Sequence, residues 1–545
     1  MADPNPQHML EEINNNIVTG DALKARLVLS ELAAVDDGWQ RKILYALSKG
    51  QPEFVVPQLL ILLKEQPELA AALPTREMLA AIFSSWPEQF SHFLTLPKLE
   101  GRRSLISLTG ELRAKKAAPI LLDALAHSPD DEEILAILAA LGEIGDESAL
   151  NTLTDFLYAA NRPMILKAVE ALGRIATPSA IQQLARRMGT DHELDLLILK
   201  IFARIQDDTS LAQLNEALRS PFADTRVFAK QQLTRIGGSA LPFLLPNLRE
   251  QHDDLLIHTL NVLGDIGDAQ AIDPIRRLLD GLPTNPNVRF AAYEALALLP
   301  VRKGAYTLTA GLTDSEEHVC IAAARAAERN FSPGLLVGIK NLLAGQGGEA
   351  LQISKTIIDA QARRLFLGLI TDETFRRLAL HYLLRAHRDV RDWHAALLNQ
   401  AGQADLARRI VGGNDQAARP KVVAVDDSRM ILNIYKSTLY ELGYEPVLFE
   451  FPVSALNWLR AEQALMVLTD LNMPEMTGVR LTEKVREIYP AEQLPVIMVT
   501  TQNEATDNEA AQAAGVNRIL QKPFNKESLG AAISETLAGL TRANR

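Results

Sequence analysis

Cysteine is nearly missing from these 545 residues: Cys320 is the single one. One thiol cannot close an internal disulfide. Its apolar, helical setting, HVCIAAARAA, points to a plain buried side chain and not a reactive one. Aromatic residues make up only 5% of the chain while leucine and alanine abound, so packing is expected to run through the aliphatic side chains of helices. Long apolar runs are absent as well. The longest, FVVPQLLILL from Phe54 to Leu63, is too short to cross a bilayer and holds a proline. The opening residues, MADPNPQHMLEE, do not have the charged-then-apolar pattern of a secretion signal. A cytoplasmic protein without membrane insertion is therefore expected. There is no basic excess either. The net charge is −11, and both the segment from Pro420 onward and the remainder are net acidic, which leaves no positive footprint for nucleic acid. The ten histidines show no metal-ligand spacing with a second histidine or cysteine. No glycine-rich nucleotide loop is present.

What the chain does have is a repeated phrase. LGEIGDESAL starts at Leu141, LGRIATPSAI at Leu172, FARIQDDTSL at Phe202, LTRIGGSALP at Leu233 and LGDIGDAQAI at Leu263, each 30 or 31 residues after the last. Weaker copies start at Leu108 and Leu296. Each unit reads as a helix, a short polar turn and a second helix ending on Leu-small-x-Ile. The small residue (Gly142, Gly173, Ala203, Thr234, Gly264) lets a neighbouring helix come close. The residue after the isoleucine is often glycine, which suits a left-handed helix stop. One such pair cannot bury its own apolar face, but stacked pairs can. The pattern resembles short HEAT-like repeats from about Leu108 to Asn330. It is faint over 1–107 and 331–410, which read as degenerate or capping helices. AGQGGEALQ near Gly345 interrupts it. Arg174, Arg204 and Arg235 share one repeat position. They are expected to act as cations at helix C-termini more than as a stripe for an acidic partner.

The composition changes at VGGNDQAARP, residues 411–420, which reads as a linker. After it, five apolar strands alternate with five helices: KVVAVD, EPVLFE, LMVLTD, PVIMVTT and RILQK. That order predicts a parallel sheet covered on both faces. The first strand ends on Asp426-Asp427, the third on Asp470, the fourth on Thr500-Thr501 and the fifth on Lys522-Pro523. In a parallel sheet these ends share one edge, so three acids, a hydroxyl and an amine should meet there. Carboxylates gathered together repel one another and call for a cation. Oxygen ligands suit Mg²⁺, and lysine and threonine beside it suit phosphoryl oxygens. Phosphoryl transfer is the chemistry such a set supports.

VDDSRM, DLNMPEMTG, VIMVTT and QKPF, in this order and spacing, resemble a response-regulator receiver domain of the chemotaxis-regulator type. The resemblance implies that Asp470 is the phosphoacceptor. It implies that Asp426, Asp427, Asp470 and the main-chain carbonyl of Asn472 hold Mg²⁺ or Mn²⁺. Thr500 would bind a phosphoryl oxygen, and Lys522 would pair with the phosphate beside a cis bond to Pro523. Ile519 departs from the family, which places a switching aromatic residue three positions before the lysine.

The expected fold class is multidomain: an all-α HEAT-like solenoid followed by an α/β doubly wound, five-stranded parallel sheet of the flavodoxin-like receiver type. The expected boundaries are 1–107 for an N-terminal helical region, 108–330 for the HEAT-like repeats, 331–410 for a helical cap, 411–420 for the linker and 421–545 for the receiver. The expected function is a two-component response regulator. A sensor histidine kinase, phosphotransfer protein or small phosphodonor would load Asp470, and the repeats would bind a protein partner of unknown identity. No DNA-binding segment follows the receiver, so output is expected through the repeats or the receiver's own last helices. No enzymatic activity is expected beyond the receiver's own phosphoryl transfer and dephosphorylation. The alternatives are a receiver-regulated enzyme of the bilin-lyase type and a phosphate sink for a kinase.

Overall fold

The computed structural model describes residues 5–96, 98–301, 305–345, 348–411, 419–500 and 505–543. The chain forms two compact units, 1–214 and 215–545. Most of the expected linker, residues 412–418, lies outside the described residues, as do Gln346 and Gly347 of the AGQGGEALQ interruption. FVVPQLLILL lies within helix Pro52–Glu65, which runs through Pro57. Among the described residues no helix is long and apolar enough to cross a membrane.

In the first unit, helix Asp131–Ile144 packs against Arg102–Glu111 on one side and Arg162–Ile175 on the other. The sequence accounts for its ends. The Asp130 carboxylate accepts the Glu132 N–H, and three acids occupy the first turn, where the helix dipole favours negative charge. Gly145 ends it in the left-handed region at φ 71°. The next two repeats stop the same way without glycine, at Ala176 (φ 53°) and Gln206 (φ 62°). A side chain in that conformation costs about 1–2 kcal/mol, so packing, not local preference, sets these two stops. The position where small residues were expected behaves as a contact point. A Cβ on Gly142 would lie 2.5 Å from the Ala171 Cα. Gly142→Val is therefore expected to lower stability by about 1–3 kcal/mol through overpacking against the neighbouring backbone. Gly334→Ala, whose Cβ would meet open space, should not. The midpoints of denaturant unfolding check both.

Two of the three aligned arginines contact the preceding repeat. Arg174 pairs with Glu143 of the previous repeat at 2.9 Å, and the Arg204 guanidinium donates to the Gly173 carbonyl at 3.0 Å. The second of these contacts places a cation at a helix C-terminus, as its position suggested.

In the second unit, helices Ala223–Ile236, Asp253–Ile266, Pro286–Leu298, Glu317–Arg329 and Glu349–Asp359 pack in succession. The Cys320 thiol is buried between two of them. It donates to the Asp314 carbonyl and accepts from the Gln352 amide, both at 3.2 Å. Burial pushes this thiol up to about 12, so almost no thiolate forms near neutral pH. A thiol reagent should leave native Cys320 unlabelled and label it completely in denaturant, as read by intact mass.

The same unit carries a parallel sheet. Strands β1 (Lys421–Val425), β2 (Glu445–Phe449), β3 (Met466–Asp470), β4 (Val496–Thr500) and β5 (Arg518–Gln521) lie in the order β2-β1-β3-β4-β5. Helix Arg429–Glu441 begins on Ser428, whose side chain accepts the Ile431 N–H. Helices Pro452–Ala461, Gly478–Arg486, Ala505–Ala513 and Lys526–Ala543 follow the later strands in turn. Val423, Val425, Val467 and Val496 enter one buried cluster with Leu456, Leu459 and Leu481. Leu471, Met498 and Ala511 form another, against which Ile519 packs. Burial on both sides explains why β1, β3 and β4 read as unbroken apolar runs.

Candidate phosphoryl site

The strand register brings the expected groups to one edge. Val425 of β1 stands beside Thr469, and Asp470 of β3 beside Val499. Thr500 of β4 stands beside Gln521, so Asp426, Asp470, Thr500 and Lys522 all emerge at the carboxyl ends. The Lys522 N–H donates to the Thr500 carbonyl at 2.7 Å, and the Lys522–Pro523 peptide is cis. The Lys522 ammonium bridges two acids, at 2.6 Å from Asp426 Oδ2 and 2.9 Å from Asp470 Oδ1. The other Asp426 oxygen accepts the Ser428 N–H at 2.9 Å. Asp426 is 1% exposed and Asp470 9%. Thr500 is buried, Asp427 and Asn472 are exposed, and Thr501 lies outside the described residues.

The turn after Asp470 is built around its carbonyl. Gly478 donates its N–H to the Leu471 carbonyl, and a Cβ on Gly478 would stand 2.1 Å from the Asp470 carbonyl oxygen. Only glycine lets the helix Gly478–Arg486 start this close to the strand end.

The electrostatics are those of crowded acids around one ammonium. Burial, only partly offset by Lys522, pushes the Asp426 carboxyl up to about 6, and the Asp470 charge adds to the rise. Asp427 is raised for the same two reasons, burial first. Burial alone would lower Lys522, but the facing Asp470 and Asp426 outweigh it and hold the ammonium well above its ordinary value. Three acids against one ammonium leave surplus negative charge on oxygen donors alone, a set that fits a hard divalent cation. Among the described residues no group of three or more His, Cys, Asp or Glu side chains stands at metal-binding spacing. Lys522 fills the place between Asp426 and Asp470.

Sequence reasoning missed two neighbours of this site. Tyr435, completely buried on helix Arg429–Glu441, stacks on Phe524 at 4.8 Å. Its hydroxyl finds no hydrogen-bond partner among the described residues, and it interacts electrostatically with Lys522. Its spacing from Ile431 and Leu439 marks only a buried helix face. The second is Glu294 on helix Pro286–Leu298. Burial pushes it up to about 7, Arg325 and Lys522 pull it back, and Asp426 and Asp427 add to the rise.

A parallel sheet with acids, a hydroxyl and a lysine at its carboxyl edge defines a receiver-type α/β module. The comparisons agree. The profile of the response regulator receiver domain matches residues 422–534, and that of HEAT repeats matches 118–196 and 241–328. A chemotaxis protein CheY homolog of Campylobacter jejuni is 40% identical over 119 residues, 22% of this chain and 92% of that protein. Chemotaxis protein CheY1 of Helicobacter pylori is 43% identical over 111 residues, 20% of this chain and 90% of that protein. The solved structure of chemotaxis protein CheY4 of Vibrio cholerae is 32% identical and covers 22% of this chain and 100% of its own, with a TM-score of 0.21. The chain belongs to the response regulator receiver family, with HEAT repeats N-terminal to the receiver.

Proposed function

We propose that this two-component response regulator carries its signal as an acyl phosphate on Asp470 and acts on a protein partner through its repeats. The observation that carries the reading is the Lys522 ammonium shared between Asp426 and Asp470 at 2.6 and 2.9 Å. A cation held there can follow negative charge as it builds on either acid. An Asp470 carboxylate oxygen attacks phosphorus on the phosphohistidine of a sensor kinase or phosphotransfer protein, or on a small donor such as acetyl phosphate. The new P–O bond forms as the donor's P–N or P–O bond breaks. The bonding pair leaves with the imidazole, which regains a proton, or with acetate. Lys522 and the Thr500 hydroxyl donate to oxygens of the transferred group. Mg²⁺ or Mn²⁺, held by Asp426, Asp427, Asp470 and the Asn472 carbonyl, would supply charge neutralisation for that group. Water then attacks phosphorus, restores the Asp470 carboxylate and releases phosphate. The chain takes no other enzymatic role in this reading.

The test is incubation of the full chain with acetyl phosphate, with Mg²⁺ and with a chelator, followed by intact mass. The expected result is one phosphoryl group per chain that needs the metal, survives acid and is lost in base. An unmodified chain under conditions that load other receivers would sink the reading.

A further inference from the structure

Within the second unit the receiver is held by the repeats at the loop that carries Lys522. The Asn287 side-chain amide donates to the Lys522 carbonyl at 2.7 Å. Phe290 and His318 face Ile431, Ile434 and Phe524 across a narrow gap. Helix Arg429–Glu441 rests on helices Glu317–Arg329 and Glu349–Asp359. Lys355 ties Glu317 to Glu441, at 2.9 and 3.1 Å. Farther along, Lys436 pairs with Asp389 at 2.9 Å, and the His387 ring meets Tyr440 edge-on at 4.7 Å.

Lys522 is thus held at both ends. Its ammonium lies on the two buried acids, and its carbonyl is held from a repeat 235 residues earlier in the chain. Ile519, packed among Leu471, Met498 and Ala511, offers no polar group to a modified Asp470. The Lys522 loop does have such a group. The direction of the response follows from charge. An acyl phosphate replaces a single negative charge with roughly two. Glu294, on the same helix as Asn287, interacts with Lys522, Asp426 and Asp427 and with the cation Arg325. It lines a groove of about 370 Å³ with Arg325 and Arg329. Added negative charge at Asp470 draws the Lys522 ammonium toward the phosphoryl group, and the movement loads the bond that holds the Lys522 carbonyl to Asn287.

We propose that the repeats are the receiver's internal effector: Asn287 is a positioning residue for the Lys522 loop, and phosphorylation of Asp470 releases helices Pro286–Leu298 and Glu317–Arg329 from helix Arg429–Glu441. This rests on the phosphoacceptor reading above. By linkage, docking and phosphorylation oppose each other by the same factor.

Hydrogen exchange on the full chain, with Mg²⁺ and with or without beryllofluoride, tests it, alongside intact mass after acetyl phosphate. Exchange at 286–298 and 429–441 is expected to rise roughly tenfold on beryllofluoride, within the usual range of such couplings. Asn287→Ala should raise exchange in both segments without beryllofluoride, and Asn287→Gln, which keeps the amide donor, should restore part of the protection. A chain that loads phosphate but keeps both segments equally protected overturns the coupling and leaves the phosphoacceptor reading standing. A chain that never loads phosphate overturns both.

Discussion

Lys522→Met should destabilise the unit containing the receiver by about 3–5 kcal/mol in metal-free, mildly alkaline buffer, the usual cost of stripping one partner from a buried ion pair. The lysine side chain is 11% exposed and its partners' carboxylate side chains 1% and 13%, so water cannot take its place cheaply. The loss should depend on pH with a definite sign. Asp426 already has a raised folded value, about 6, and Lys522 is the charge that holds it down. Without Lys522 it rises further. An acid with a raised folded value favours the folded state when protonated, so the variant's deficit is greatest at high pH and shrinks as pH falls through and below that region. Millimolar Mg²⁺ should recover part of the deficit at high pH by neutralising the same acids. Denaturant midpoints at several pH values, with and without metal, measure this. A deficit that ignores both pH and metal would mean that Lys522 matters for packing and not for charge.

Asp470→Asn should separate chemistry from stability. Phosphoryl loading should disappear entirely, because an amide oxygen cannot attack phosphorus to give an acyl phosphate. Stability should hold within about 0.5–1 kcal/mol of the parent, or rise, although the position is 9% exposed and buried polar changes usually cost more. The reason lies in the neighbours. The Asp470 charge raises both Asp426 and Asp427, so removing it relieves repulsion, while Lys522 keeps its bond to Asp426. Intact mass and unfolding on the same preparation report both halves. A variant that unfolds easily would show that Asp470 stabilises the folded unit, and a variant that still loads phosphate would move the acceptor elsewhere.

Much of this was legible in the residues. A 30- or 31-residue phrase ending on Leu-small-x-Ile carries its own packing logic, and Gly142 touches Ala171 where that logic requires. Asp426, Asp470 and Lys522 could be placed together because a parallel sheet sends every strand's end to one edge, whatever the loops do. Other features could not be read this way. The left-handed φ values at Ala176 and Gln206 fall where other repeats carry glycine, and the two residues' own preferences do not announce them. Tyr435 reads as one more core aromatic, since a buried hydroxyl without a hydrogen-bond partner among the described residues leaves no mark on helical periodicity. The Asn287–Lys522 contact joins two patterns that are each complete without it, a helical repeat and a strand end. The described chain packs the receiver and the repeats from 215 onward as one compact unit, although composition changes sharply near residue 411.

A covalent phosphoryl group on Asp470 can be located chemically. Reducing the acetyl phosphate-treated chain with borohydride converts an aspartyl phosphate into homoserine, which peptide mass spectrometry can locate. Homoserine is expected at position 470, formed only when Mg²⁺ was present during loading. Homoserine at another acid, or none in a chain whose fold is intact, would contradict it.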